Sequence, residues 1–512
     1  MPQIKNNDRD QLMMLSLAEH VSQDSTARVI DAFINASDME NLGFIVKGKS
    51  KEGRPAYPPE ILAKLYLYGY LHGIRSSRKL EHACKINIEL WWLLENQKPH
   101  YKTIADFRKD NPQGFANLFI FFRDFCLKLD LYGKETVAID GSKFRAQNSK
   151  KNNYNQRKID KHLHYIDEQF EEYIKGLDEN DRDESLKQKL DQRRDKYNQL
   201  NEQLNNTDET QISTTDPDAR ALPLHMRIVE VGYNIQSAVD SKNNLIVDYQ
   251  VTNKNDHRAL APMALKAKEA LKLQQDDFLT VLADKGYHTG EQIQTCHDNN
   301  IETLVAAPKK PKQTDLSKPV FLRKESFLYN DNNDTYTCPN GQTLTKQARY
   351  KRRDRKGRIS GQFDRYNIKY SICKNCHFIN QCVSKGNRNS HQGRYIDRYL
   401  SDKAIQNNAY NIRHNKPLYK RRQAIVEHPF GTIKRQWGYT HTLLKTIPKV
   451  STEFSIILLC YNIRRSISIL GHNGLKKALN SLLATISVLR DLIYHASMRS
   501  KVSIHHPSCR FS

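Results

Sequence analysis

At 512 residues and a formal charge of +24, the chain is long enough for several cores and predicts a main domain with insertions rather than one compact unit. An excess of Lys and Arg on this scale favours a polyanionic partner, since each phosphate neutralised releases counterions. Three features point to a soluble cytoplasmic protein and away from a membrane: residues 2–8 lack a signal-peptide core, the apolar run at 454–460 is too short to span a bilayer, and nine scattered cysteines fit a reducing compartment.

Residues 1 to about 130 read as all-helical. Pro58-Pro59 can start a helix on which Ile61, Leu65, Tyr68 and Leu71 share one face. Ser77 is placed to cap the next helix and Thr103 a later one, while Trp91 and Trp92 read as core. Arg75, Arg78, Lys79, Lys102 and Arg108 are expected on an exposed basic face, which either tracks DNA or is an ordinary solvated surface.

From Tyr132 the periodicity turns to strands. Residues 137–140 form the first, and 232–240 and 245–251 continue it as an antiparallel meander. A helix over 260–271 tolerates Pro262 in its first turn, and 278–283 is apolar enough for a strand buried on both faces. Thr289 with Gln292 offers a capping box, and 301–307 gives a fifth strand. This order predicts a mixed α/β sheet in which a right-handed crossover sets the ends of the first and fourth strands side by side.

Two insertions interrupt that core. Residues 151–211 carry Ile159, Leu163, Ile166, Phe170, Leu186, Leu190, Tyr197 and Leu200 at amphipathic helical spacing, as a helical arm for self-association or a solvated spacer. Residues 311–395 carry Cys338, the pair Cys373 and Cys376, and Cys382. Four thiols suit a structural zinc ion that fixes a loop-rich segment too small to bury its own core. His377 or His391 is an alternative ligand, and ordinary reduced cysteines are the plain alternative. Arg349, Lys351, Arg352, Arg353, Arg355, Lys356 and Arg358 form a basic run, either a solvated loop or a phosphate contact.

Asp140 closes the first strand, Asp284 the fourth, and Glu427 rides a helical segment on which Val426, Phe430, Ile433 and Trp437 recur as the packed face. Pro429 should kink that helix, and Lys434 lies two turns beyond the acid near the same side. Three carboxylates from separate elements, in a chain this basic, point to a magnesium site that cuts nucleic acid. The rival carboxylates are Asp216, Asp218, Asp240 and Asp256, with Asp216-Pro217-Asp218 the strongest.

These residues resemble the triad of bacterial insertion-sequence DDE transposases. The local motifs are similar too: Asp284-Lys285-Gly286-Tyr287, and Tyr419, Arg422, Glu427 and Lys434 with one extra residue between Arg422 and Glu427, so that Arg421 or Arg422 fills the arginine role. Ser76-Ser77-Arg78-Lys79-Leu80-Glu81 and Thr103-Ile104-Ala105-Asp106-Phe107-Arg108 resemble the family's N-terminal helical domain, and a cysteine insertion occurs in one of its subgroups.

The resemblance implies an α/β, ribonuclease-H-like mixed sheet. Its core would comprise 131–150, 212–310 and 396–470, after an N-terminal helical DNA-binding domain at 1–130 and before a helical tail at 471–512. It implies Mg²⁺ or Mn²⁺ held by Asp140, Asp284 and Glu427, with Asp140 bridging, and DNA contacts from Tyr419, Arg421, Arg422 and Lys434. The partners it implies are double-stranded DNA, as terminal inverted repeats and target, and a homodimer or higher oligomer on it; the place is the cytoplasm, at the nucleoid. A nuclease of this fold without strand transfer, or a non-catalytic DNA-binding descendant, would share the same motifs.

Overall fold

The computed structural model describes residues 14, 16–46, 55–147, 150–175, 184–207, 209–223, 229–308, 322–353 and 359–502. Residues 2–8 and the basic positions Arg355, Lys356 and Arg358 lie outside the described residues. The amino-terminal helices are α1 (Thr26–Asn35), α2 (Pro59–Leu71), α3 (Ser77–Ile86), α4 (Tyr101–Asp110) and α5 (Pro112–Lys128). Strand β1 (Thr136–Arg145) precedes the helices α6 (Gln156–Lys175) and α7 (Glu184–Asn205). Next come β2 (Arg220–Pro223), β3 (Val229–Asp240), β4 (Ile246–Thr252), α8 (Leu260–Ala270), β5 (Leu279–Ala283), α9 (Gly290–Asp298) and β6 (Ile301–Val305). The cysteine segment holds β7 (Leu328–Asn330), β8 (Thr335–Thr337), β9 (Thr343–Arg353), β10 (Ile359–Asn367) and β11 (Tyr395–Tyr399). Helices α10 (Asp402–His414), α11 (Lys416–Gly431) and α12 (Ile447–Val502) close the order.

The chain divides into two compact units. The first takes Met1–Lys134, Gly141–Asn255 and Ala424–Ser512. Its organiser is α12, which packs against α1, α2, α5 and β4. The stretch Ile447–Ile486 is long and apolar enough to cross a membrane, where the sequence alone suggests only a short run at 454–460. Most of residues 450–463 are instead buried in this unit, and Asn462 fixes the helix to β4 by pairing its amide with both the N–H and the C=O of Ile246 at 2.9 Å. Gly471, with φ 70° and ψ 164°, is a non-helical joint within α12, a backbone region that glycine enters without a Cβ penalty. β3 pairs antiparallel with β2 and β4. It also approaches β1 so closely that a Cβ on Gly232 would stand 2.0 Å from the Phe144 carbonyl oxygen.

The basic face expected on the amino-terminal helices is only partly a face. Arg75 and Arg108 are buried: Arg75 pairs with Glu453 at 3.0 Å and Arg108 donates to the Tyr70 hydroxyl at 2.7 Å. Arg78, Lys79 and Lys102 stay at the surface. The caps differ as well. Ser77 is the first residue of α3 rather than its cap, and His100, not Thr103, caps α4 by accepting from the Lys102 N–H. Helices α6 and α7 close on a core of their own, with Ile159, Ile166, Leu190, Tyr197 and Leu200 buried, whereas Leu186 is exposed.

The second unit takes Glu135–Asp140 and Asp256–Gln423. In it the first half of β1 runs parallel to β5, and β5 parallel to β6, so parallel and antiparallel pairs make the fold mixed α/β. Every residue of β5 is buried, as an apolar strand covered on both faces requires. The capping box expected at Thr289 and Gln292 is not formed: Thr289 donates to the His257 carbonyl and Gln292 accepts from the Ala261 N–H. The cysteine segment is more ordered than a loop-rich insertion. It is a five-stranded antiparallel sheet in the order β11-β10-β9-β8-β7, with Phe327, Tyr336, Leu344, Tyr366, Ile368 and Ile396 as its core.

Candidate active site

β1 is longer than its apolar run: it continues through Gly141-Ser142-Lys143 to Arg145, so Asp140 stands within the strand rather than closing it. Its parallel register with β5 matches Thr136 to Thr280, Val137 to Val281 and Ala138 to Leu282. Two residues further along each strand come Asp140 and Asp284. Continuing the register one residue past the end of β5 brings the two aspartates level with one another, on strands spaced about 4.8 Å apart. Val137, Ala138, Ile139 and β5 are buried, while both aspartates are half-exposed. Apolar burial thus fixes the backbone, and the acids emerge where it ends.

The motif after Asp284 has a local reason. Its Oδ1 accepts the Gly286 N–H at 2.7 Å and opens a tight turn over Lys285–Tyr287, with Tyr287 buried as the anchor. A Cβ on Gly286 would lie 2.9 Å from that same oxygen and 3.9 Å from the Cβ of Asp256. Glycine keeps the space in front of the carboxylate open, and Asp256 approaches the same turn.

Glu427 lies in the first unit, exposed on α11, while Ile425, Val426, Pro429 and Phe430 are buried. Beyond the interior Pro429 the helix widens into a π-helix over Thr432–Gln436, a form often found at functional sites. Lys434 sits in that turn. Its Nζ donates to the Lys143 carbonyl at 2.7 Å and lies 4.4 Å from the centre of the Phe144 ring. Phe144 is itself packed by Phe454 and Phe430. Tyr419 and Arg422 are half-buried on the first half of α11 and Arg421 is exposed. Among the described residues, no group of three or more His, Cys, Asp or Glu is arranged to hold a metal ion. The strand register thus brings Asp140 level with Asp284.

Residues 208–463, half of the chain, match the family model for the transposase DDE domain, and residues 15–110 match the transposase domain DUF772. The chain belongs to the DDE transposase family. No curated protein matches it. A solved structure with some similarity is the piggyBac transposase synaptic complex with hairpin DNA, at 10% identity and a TM-score of 0.34 over 95% of this chain and 84% of that one. A likeness that loose adds nothing to the assignment.

Three of the four rival carboxylates in this transposase have structural work. Asp216 is buried and accepts the Tyr233 hydroxyl at 2.7 Å and the Thr446 N–H at 3.0 Å, while Asp218 accepts the Ile447 N–H at 2.8 Å. Asp216-Pro217-Asp218 therefore serves the start of α12, where unpaired N–H groups attract carboxylates. Asp240 ties the Gly133 and Lys242 N–H groups at 2.9 Å; burial raises its pKa against these hydrogen bonds. Asp256 alone approaches a candidate acid. The sequence names it among the rivals without singling it out, and misses the seat of Lys434 at Lys143 and Phe144, although Phe144 lies only four residues past Asp140.

The four thiols of the insertion are reduced and line one small cavity of about 30 Å³, together with Ile368, Val383 and Arg394. Gln342 donates its N–H to the Cys338 sulfur at 3.3 Å across a turn in which Gly341 has φ +74°. Burial pushes the Cys382 thiol up to about 11, with its three neighbours adding to the rise and Arg394 opposing it. Neither His377 nor His391 lines the cavity. The soft donors fit zinc in kind and number, although in their present spacing they are not a metal-binding group. Cys84, Cys126, Cys296 and Cys460 are instead buried elsewhere.

Proposed function

We propose that this transposase binds the ends of its insertion sequence, cleaves DNA there to free a 3′-OH, and joins that end to target DNA, using Asp140, Asp284 and Glu427 as ligands of Mg²⁺ or Mn²⁺. The observation that carries the reading is the parallel register that levels Asp140 with Asp284 in a chain whose family is defined by such acids. Carboxylate oxygens are the donors a hard cation prefers. When bound, such ions would stabilise the attacking and leaving oxygens of an in-line displacement. Lys434, held by the Lys143 carbonyl and the Phe144 ring, would place a fixed positive charge for a phosphate, and Tyr419 with Arg421 or Arg422 would grip the backbone. Water attack on one strand breaks a P–O bond and leaves the 3′-OH, which then displaces a 3′ oxygen of the target strand. Work on two DNA segments implies a homodimer or higher oligomer at the nucleoid, in the cytoplasm.

Asp140→Asn should lower cleavage by roughly a thousandfold or more while element-end binding changes little. A variant that still cuts at the parental rate removes Asp140 from the mechanism. A supercoiled-plasmid assay with an element end separates cutting from joining, and cut products without joined ones would favour a nuclease.

Cys338, Cys373, Cys376 and Cys382 would hold structural zinc, which contributes folding free energy directly. Elemental analysis of the purified chain should find one zinc per chain, lost in Cys376→Ser with a lower unfolding temperature. A metal-free chain of unchanged stability would leave the cysteines as ordinary thiols.

A further inference from the structure

The insertion sheet has two faces, and only one is explained by folding. Tyr336, Leu344, Tyr366 and Ile396 turn to its core. The opposite face carries a continuous row of rings: Tyr350 is paired across the strands with Phe363, and Phe363 with Tyr399, at centroid distances of 5.7 and 5.8 Å. Arg365 lies over Tyr350 at 5.0 Å and over Tyr395 at 4.2 Å, while Arg352 donates to the Tyr399 hydroxyl. Tyr350 and Tyr395 are 43% and 38% exposed. Large aromatic side chains set on the solvent side of a sheet, interleaved with arginines, do not add to that core.

The row leads somewhere. Tyr399 also lines a cavity of about 670 Å³ with Thr289, Gly290, Gln294, Gln362 and Ser401. Thr289 and Gly290 follow the Asp284 turn by a few residues, and a Cβ on Gly290 would stand 2.4 Å from the Ser401 Oγ. The outer face of the insertion and the segment that follows a candidate catalytic acid thus share one concave surface, all within the second unit.

We propose that this face is a stacking platform for an unpaired DNA strand. Bases would lie on the rings of Tyr350, Tyr395 and Tyr399, with Arg352 meeting phosphates and Arg365, held by Asp397 at 2.7 Å, bracing the rings. A single strand is favoured over a duplex because base faces are hidden in a duplex and offer the rings nothing to stack on, whereas aromatic rows beside cations are how sequence-tolerant single-strand binding is built. The inference rests on the transposase reading for the origin of that strand and adds its state: unpaired.

The test is fluorescence anisotropy of labelled oligo(dT) and of a duplex probe on the full-length chain carrying Asp140→Asn, so that binding is read without cleavage. Tyr350→Ala with Tyr395→Ala should weaken oligo(dT) binding by about tenfold or more and duplex binding by less than about twofold. Tyr350→Phe with Tyr395→Phe, which keeps the rings, should bind both probes as the parent does. Unchanged oligo(dT) affinity in the alanine pair overturns the platform. So does a parallel loss for duplex, which would mark the sheet as a duplex reader. Should the alanine pair fail to fold, photo-crosslinking of a 5-iododeoxyuridine strand to the parent decides: adducts on β9 and β11 support the platform, and adducts only elsewhere refute it. Failure here leaves the cleavage reading standing, and a cleaving Asp140→Asn chain would leave this surface standing.

Discussion

Glu453, in the helical core, and Asp364, on the cysteine insertion, are both carboxylates bound by arginine, and they are held by opposite means. Glu453 has no exposed surface and takes Arg75 at 3.0 Å together with the Leu443 and Leu444 N–H groups. Burial raises its pKa, against Arg75 and Arg108. Asp364 takes Arg349 and Lys346, each at 2.7 Å, from side chains that are 54% and 37% exposed, and Arg349 leads in lowering its pKa to about 2. In the core, the pair matters because either charge left alone would be stranded in a low dielectric. On the insertion, it matters only as far as water leaves the attraction unscreened.

Removing the buried partner should therefore have the largest effect. Glu453→Ala is expected to cost about 3–5 kcal/mol in urea unfolding, and a loss below about 1 kcal/mol would show that the core relaxes around Arg75. An intermediate effect is expected where a carboxylate is held by one backbone donor: Gly286→Ala crowds Asp284 Oδ1 and should slow DNA cleavage roughly tenfold with little change in unfolding temperature. Equal cleavage rates would mean that the turn can shift without moving the acid. The smallest effect belongs to Asp364. Its folded pKa lies below the unfolded value of about 3.9, so its stabilisation is present above about pH 4 and is lost as pH falls toward about 2. After allowance for the exposure of Arg349, this is about 1 kcal/mol. Asp364→Asn should flatten that limb of an acid titration followed by circular dichroism, and an unaltered limb would count the pair as inert.

Much of this was legible because it is local. Apolar runs announced β1, β3, β4, β5 and β6, whereas Asp284-Lys285-Gly286-Tyr287, legible only as a family motif, proves to be a turn closed by the Asp284 carboxylate. What stayed hidden depended on partners far away in the chain. Nothing near Arg75 reveals that Glu453 will bury it, and nothing near Asp216-Pro217-Asp218 reveals that the start of α12 will claim it. The π-turn at Lys434 was hidden for another reason: apolar spacing at Val426, Phe430, Ile433 and Trp437 is that of an α-helix, and the widening follows an interior proline. The insertion was read from its cysteines and its basic run, so its sheet and its outer row of rings went unseen.

The segregation of the thiols carries a practical consequence. Burial pushes Cys84, Cys126 and Cys296 up to about 12 and Cys460 well above its ordinary value, so at neutral pH they are protonated and shielded from reagents. Among the described cysteines, an alkylating dye would meet first the four gathered in the insertion. Among the described residues, that one sheet is therefore where a thiol-directed reporter would attach first.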